Sequence, residues 1–156
     1  DVIAAIDERT AVVAVSQVLF RTSQLLDIAP IARRAREAGA LTLIDAYQAV
    51  GTLDVDVRAP EVDMMTGGAI KWLCGGAGTG WLYVRPALAS SLTPAITGWF
   101  GHEEPFAFAA GPTRLHAGDR RFMNGTPSIP SYCASRPGIT LVSSLPRPEG
   151  RWLSCG

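Results

Sequence analysis

The stretch AVVAVSQVLFRTSQLLDIAPIARRAREAGALTLID, residues 11–45, changes its rhythm twice, and those changes decide the fold. Residues 11–18 (AVVAVSQV) form a valine-rich run of the kind shown by a strand buried on both faces. After Asp27, the apolar residues Ile28, Ile31, Ala32, Ala35 and Ala38 recur at helical spacing, while Arg33, Arg34, Arg36 and Glu37 take the other face. Asp27 is placed to cap this helix and Gly39 to stop it. Residues 41–44 (LTLI) form a second short apolar run, followed at once by Asp45. Strand, helix and strand in this order predict a right-handed crossover in a parallel sheet. Ligands of such sheets bind beyond the carboxyl ends of the strands, where Asp45 falls.

Further strands are expected at residues 62–66 (VDMMT) and 80–84 (GWLYV), the latter ended by Pro86. Only a glycine-rich loop joins these two, too short for a helical crossover, so the fourth strand should run antiparallel to the rest. From Thr97 the sequence is dense in aromatic residues, Gly and Pro and reads as shaped loops. From Arg136 onward no period is evident, and this tail is expected not to pack. No internal repeat is present.

With 156 residues, 47% hydrophobic and 18% charged, the chain can form one globular domain with a sizeable core. Its formal net charge of zero argues against a nucleic-acid partner. Cys74, Cys133 and Cys155 are odd in number and widely spaced, which reads as reduced thiols in a cytoplasmic protein. Neither a membrane span nor a signal peptide is evident. The opening on Asp1 in place of methionine makes a fragment, a processed product or a trimmed chain plausible.

The chain has a single lysine, Lys71, against thirteen arginines. Arginine serves surfaces and ion pairs at least as well. It does not readily lose its proton to form a carbon–nitrogen double bond, whereas a lysine can, so Schiff-base chemistry stands beside the reading of a residue left over by composition. The cluster GGAGTG (residues 75–80) is not a dinucleotide fingerprint, since it precedes a strand and does not open a helix. It reads as a tight turn with close backbone approach. His102 and His116, 14 residues apart in loop sequence, make a poor hydrolase triad. Asp45 and Lys71 lie just past the ends of two strands that can be neighbours. Such a pair is either a buried salt bridge or the two fixed points of pyridoxal phosphate, with lysine on the aldehyde and aspartate on the pyridine nitrogen.

The block LIDAYQAVGTLDVDVRAPEVDMMTGGAIKWLCGGAGTGWLYVRP (residues 43–86) resembles the class V aminotransferases, fold-type I pyridoxal phosphate enzymes that include kynureninases and cysteine desulfurases. The resemblance extends through residues 16–28 (SQVLFRTSQLLDI), 97–102 (TGWFGH) and 124–130 (NGTPSIP). It implies an α/β fold with a mostly parallel sheet and flanking helices, part of the large domain of such an enzyme. Residues 1–135 would be a partial cofactor-binding domain and residues 136–156 an unmatched tail. It further implies that Lys71 forms the Schiff base and moves the substrate's alpha proton, and that Asp45 binds the pyridine nitrogen. Gln48 would bind the cofactor's phenolic oxygen, with Gln17 standing where relatives place an asparagine for the same oxygen. Trp99 would line the phosphate or substrate side. Thr126 would reach the cofactor phosphate of a partner subunit, making a homodimer the working form.

The chain departs from the pattern at named positions. Gly68 and Ile70 stand where many relatives have serine and histidine, which thins the phosphate cup. Gln48 and Ala49 stand where kynureninases have histidine and serine, and neither Cys74 nor Cys133 matches the nucleophilic cysteine of desulfurases. The expected function is a pyridoxal phosphate-dependent transferase or lyase acting on an amino acid, kynureninase-like (a hydrolase) in its GWFGH loop. A desulfurase-like enzyme and a catalytically incompetent fragment are the alternatives.

Overall fold

The computed structural model describes residues 1–58 and 61–146. They fall into two compact units: Asp1–Tyr83 together with the described residues from Ser128 onward, and Val84–Pro127.

The first unit is built on four strands, β1 (Val12–Ser16), β2 (Leu41–Asp45), β3 (Met64–Gly68) and β4 (Gly80–Val84), in the spatial order β1-β2-β3-β4. β1, β2 and β3 are parallel, with Ser16 opposite Asp45 and Asp45 opposite Thr66. The parallel ends of the first three strands therefore place Ser16, Asp45 and Thr66 in one row. β4 runs the other way: Thr66 Oγ1 donates to the Trp81 carbonyl (3.0 Å), while just past the end of β3 the Ala69 N–H donates to the Thr79 carbonyl (3.0 Å).

The crossover helix α1 (Ile28–Glu37) starts as its sequence dictates, with Asp27 Oδ1 accepting from the Ala29 N–H at 3.2 Å. Gly39, just beyond it, takes a left-handed φ of +76°, which glycine adopts without steric cost. Ile28 and Ala32 pack with Ile44 and Met65, and Ile31 and Ala35 pack with Ile6, Val13 and Ala40. Full burial of a side chain such as Ile44 contributes about 1.5–3 kcal/mol.

Three expectations change. The first strand is buried on the α1 side alone, with Val12 and Ala14 exposed, because no described element covers its other face. The third strand begins at Met64, later than expected, since the Asp63 carboxylate takes the Thr42 N–H (2.9 Å) in place of a backbone partner. It then continues through Gly67, where a Cβ would strike the Trp81 ring. Finally, the tail from Arg136 is helical as far as Ser144, within α3 (Ile129–Ser144). Ser135 is buried there, and a Cβ on Gly138 would overlap the Cys74 carbonyl. The helix therefore crosses the boundary drawn at residue 135. Arg147 to Gly156, with Cys155, lie outside the described residues.

The second unit holds the short helix α2 (Pro86–Ala89) and three 3-10 turns at Trp99–Gly101, Pro105–Ala107 and Asp119–Phe122, in keeping with shaped loops. Among the described residues no helix is long and apolar enough to cross a membrane.

Candidate functional site

At the carboxyl end of β2 the Asp45 side chain is held at both oxygens. Oδ2 accepts from Ser16 Oγ (3.0 Å), which the register places directly opposite, and Oδ1 accepts from the Tyr47 N–H (2.8 Å). Its backbone carbonyl accepts from the Gln17 N–H at 2.9 Å. The two side-chain bonds fix the carboxylate's orientation, and each of its oxygens keeps a lone pair for a further donor.

Lys71 sits at the tip of a tight turn that follows β3. The turn is closed by the Gly75 N–H on the Ala69 carbonyl (2.7 Å) and the Cys74 N–H on the Lys71 carbonyl (3.0 Å), with Cys74 in a left-handed conformation. The glycine cluster locks this turn by close approach, as expected. A Cβ on Gly75 would come within 2.7 Å of the Ala69 Cβ, one on Gly78 within 2.7 Å of Ser131 Oγ, and Ser135 Oγ donates to Thr79 Oγ1 at 2.8 Å. α3 is thus seated on the glycine loop.

The loops after β2 and β3 meet. The Trp72 indole N–H donates to Gln48 Oε1 (3.0 Å), and a Cβ on Gly51, whose φ is +98°, would come within 2.7 Å of the Trp72 backbone. Because an indole nitrogen only donates, this bond fixes the Gln48 amide orientation and leaves its NH2 to serve another acceptor. Lys71 Nζ lies 5.0 Å from the centroid of the Tyr47 ring. Tyr47 thereby touches both charged groups, through its N–H to Asp45 and its ring to Lys71. Among the described residues no ion pair joins Lys71 to Asp45, so the salt-bridge reading of this pair is not what forms.

Gln17 follows Ser16, and its side chain lines an open cleft of about 680 Å³ with Leu26, Ile28, Leu53 and Met65. Its Oε1 is buried with no hydrogen-bond partner. In the second unit, Trp99 packs edge-on against Phe100 and Phe106 (4.5 and 5.4 Å between centroids) and stacks on Phe108 at 6.2 Å. Thr126 is exposed. His102 and His116 each accept, through Nδ1, the N–H two residues on, at Glu104 and Gly118, which is a turn-forming role. Among the described residues no metal-binding cluster occurs, and Cys74 and Cys133 are free thiols.

Two residues of the candidate site escape a reading of the sequence: Ser16 and Tyr47. The signal for Ser16 is register, which brings a hydroxyl opposite Asp45. For Tyr47 it is position, between Asp45 and Gln48. The donor set suits a heteroaromatic aldehyde cofactor: one primary amine, one oriented carboxylate for a ring N–H, and one amide NH2 for a ring oxygen.

Comparison with known proteins agrees with this chemistry. A family model described as aminotransferase class-V matches residues 1–148. An uncharacterized aminotransferase, YcbU of Bacillus subtilis (strain 168), is 35% identical over 140 residues, covering 90% of this chain and 36% of that protein. A kynureninase of Pseudomonas fluorescens is 31% identical over 140 residues, covering 89% and 33%. Among solved structures, the apo cysteine desulfurase of Thermococcus onnurineus NA1 superposes with a TM-score of 0.78 at 24% identity, over 91% of this chain and 34% of that one. The cystine C-S lyase C-DES, in complex with its product cysteine persulfide, gives 0.77 at 27% identity, over 90% and 38%. A mutant of C-DES with glycine covalently linked to the pyridoxal phosphate cofactor gives 0.77 at 26%, over 90% and 37%. The chain thus spans about a third of the length of the proteins it matches.

Proposed function

As the chain belongs to the aminotransferase class-V family, we propose that it forms the central part of the large domain of a pyridoxal phosphate-dependent enzyme acting on an amino acid. The observation that carries this reading is the meeting of the chain's single amine with an oriented carboxylate through Tyr47, on two clamped loops beyond the sheet. When bound, pyridoxal phosphate supplies a cationic ring that takes up the electron pair released at the substrate's alpha carbon. Asp45, oriented by Ser16 and the Tyr47 N–H, accepts the ring N–H and keeps that nitrogen protonated. Lys71 Nζ would hold the cofactor at its aldehyde carbon and would move a proton at the substrate's alpha carbon. Gln48, its Oε1 engaged by Trp72, donates its NH2 to the phenolic oxygen.

A kynureninase-like activity is the specific reading we favour, supported by the GWFGH loop (residues 98–102) and the 31% identity to the Pseudomonas fluorescens kynureninase. A desulfurase-like activity draws support from the solved structures. The homodimer rests on the resemblance at Thr126. Mixing the purified chain with pyridoxal phosphate is expected to produce a visible absorption band that Lys71→Ala and Lys71→Arg both abolish. Colour surviving both substitutions would overturn the role of Lys71, and no colour in the unmodified chain would leave an inert piece of the fold. Alanine or sulfide release from candidate amino acids then separates the two activities.

A further inference from the structure

We propose that Tyr47 is a positioning residue for Lys71, and that Gly68 is kept without a side chain so that the Tyr47 ring can lie where it does. The inference deepens the reading of Lys71 as the reactive amine and rests on it for its purpose, but its geometry stands apart from any cofactor.

A lysine at a turn tip has four flexible carbons, and fixing such a side chain costs rotamer entropy. Some partner must offset part of that cost if the amine is to be found in one place. A carboxylate could do so, but it would also hold the amine by hydrogen bonds at the nitrogen that must react. Among the described residues no carboxylate forms an ion pair with Lys71. Its partner is the face of the Tyr47 ring, 5.0 Å from Nζ. An aromatic face attracts the ammonium weakly at an exposed site, enough to bias the side chain without freezing it. The ring face offers the ammonium no acceptor oxygen, so no ion pair ties the nitrogen down once it has lost its proton.

The ring's own position is fixed from two sides. Its backbone N–H is tied to Asp45 Oδ1, so the residue cannot drift along the loop. On the sheet side, a Cβ built on Gly68 would overlap the phenol oxygen and its ring carbon. Gly68 is buried and lies in β3, where a side chain is normally an asset; its absence gives the ring a place. The Gln48–Trp72 bond holds the two loops together, so the Tyr47–Lys71 distance is set by the clamp and not by the lysine alone.

The single lysine makes the test direct. Labelling lysine with carbon-13 at the ε position gives one side-chain resonance to follow by NMR, in the chain as it stands and without cofactor. We expect the Lys71 ε-methylene protons upfield of free lysine and in nuclear Overhauser contact with the Tyr47 ring. Tyr47→Phe should retain the shift, because the ring face does the work, and Tyr47→Leu should lose it. Gly68→Ala should also lose it, by displacing the ring. A free-lysine shift with no Overhauser contact in the unmodified chain overturns the proposal whatever the variants do. So does an upfield shift that persists in a folded Tyr47→Leu. Capture of pyridoxal phosphate by the same samples, trapped with borohydride and located by mass, separates the two readings. Ring contact without capture at Lys71 removes the cofactor assignment and leaves the positioning intact, whereas capture without ring contact does the reverse.

Discussion

Ser16 and Asp45 illustrate how much chemistry one pair of opposed residues can carry. A hydrogen bond to a charged group contributes about 1.5–3 kcal/mol. The Ser16 hydroxyl is one of two donors that aim the Asp45 carboxylate. Ser16→Ala is therefore expected to weaken pyridoxal phosphate binding by about tenfold, the equivalent of about 1.4 kcal/mol and just below that range. Because the pair is only partly buried, the melting temperature should fall little. Titrating the visible band against cofactor concentration measures the first effect and a thermal melt the second; an unchanged dissociation constant would show that the Tyr47 N–H alone suffices. At this scale the sequence singles out the candidate residues of rare type or telling position. One lysine among fourteen basic residues draws notice by itself, and Asp45 follows from its place at the end of an apolar run. Ser16 and Tyr47 were not readable, because a serine and a tyrosine in such places have ordinary packing uses, and the contacts that single them out depend on register and on a missing Cβ in the neighbouring strand.

The helices divide along the same line at the scale of elements. α1 was legible because its stripe is hydrophobic and its cap is an aspartate, both local signals. α3 was not, because Pro137 and Gly138 stand inside it and its exposed residues include Ile129, Tyr132 and Leu141. Its period is one of size. Ser131, Ser135 and Gly138, spaced by four and three residues, approach Gly78, Gly75 and the Cys74 carbonyl in turn, so small residues from helix and loop interdigitate. A search for hydrophobic spacing passes over such a stripe. Gly138→Ala decides between two effects of opposite sign. In an open helix the change would stabilise by about 0.8–1.0 kcal/mol. Here the new methyl overlaps the Cys74 backbone, and forcing extra volume into a packed site costs about 1–3 kcal/mol. We expect net destabilisation in urea titration, together with weaker capture of pyridoxal phosphate, since the Lys71 turn rests on this contact. A more stable variant would mean that α3 can lift from the glycine loop without loss.

The whole chain brings together units of different character. In the first, β2 lies between β1 and β3, with Ile44, Ala46 and Ala49 fully buried around it. The second is made of short turns, and Phe106, Phe108 and Ile96 are 69%, 78% and 79% exposed. Local stability follows buried apolar contact, and segments with little of it open at low free-energy cost. The crossover that organises the first unit was visible in residues 11–45 because strand and helix periods alternate there. The second unit was visible only as loops, since aromatic residues at irregular spacing encode pair contacts such as Trp99 on Phe108 and no period. Amide hydrogen exchange followed by mass spectrometry should show this contrast. Amides of β2 are expected to exchange slowest, by global opening. Those of Val84–Pro127 should exchange at least about tenfold faster, which a difference of only 1.4 kcal/mol in opening free energy produces. Uniform protection across both units would mean that the exposed aromatic residues are covered in solution, and sedimentation of the same sample would show whether a second copy of the chain covers them.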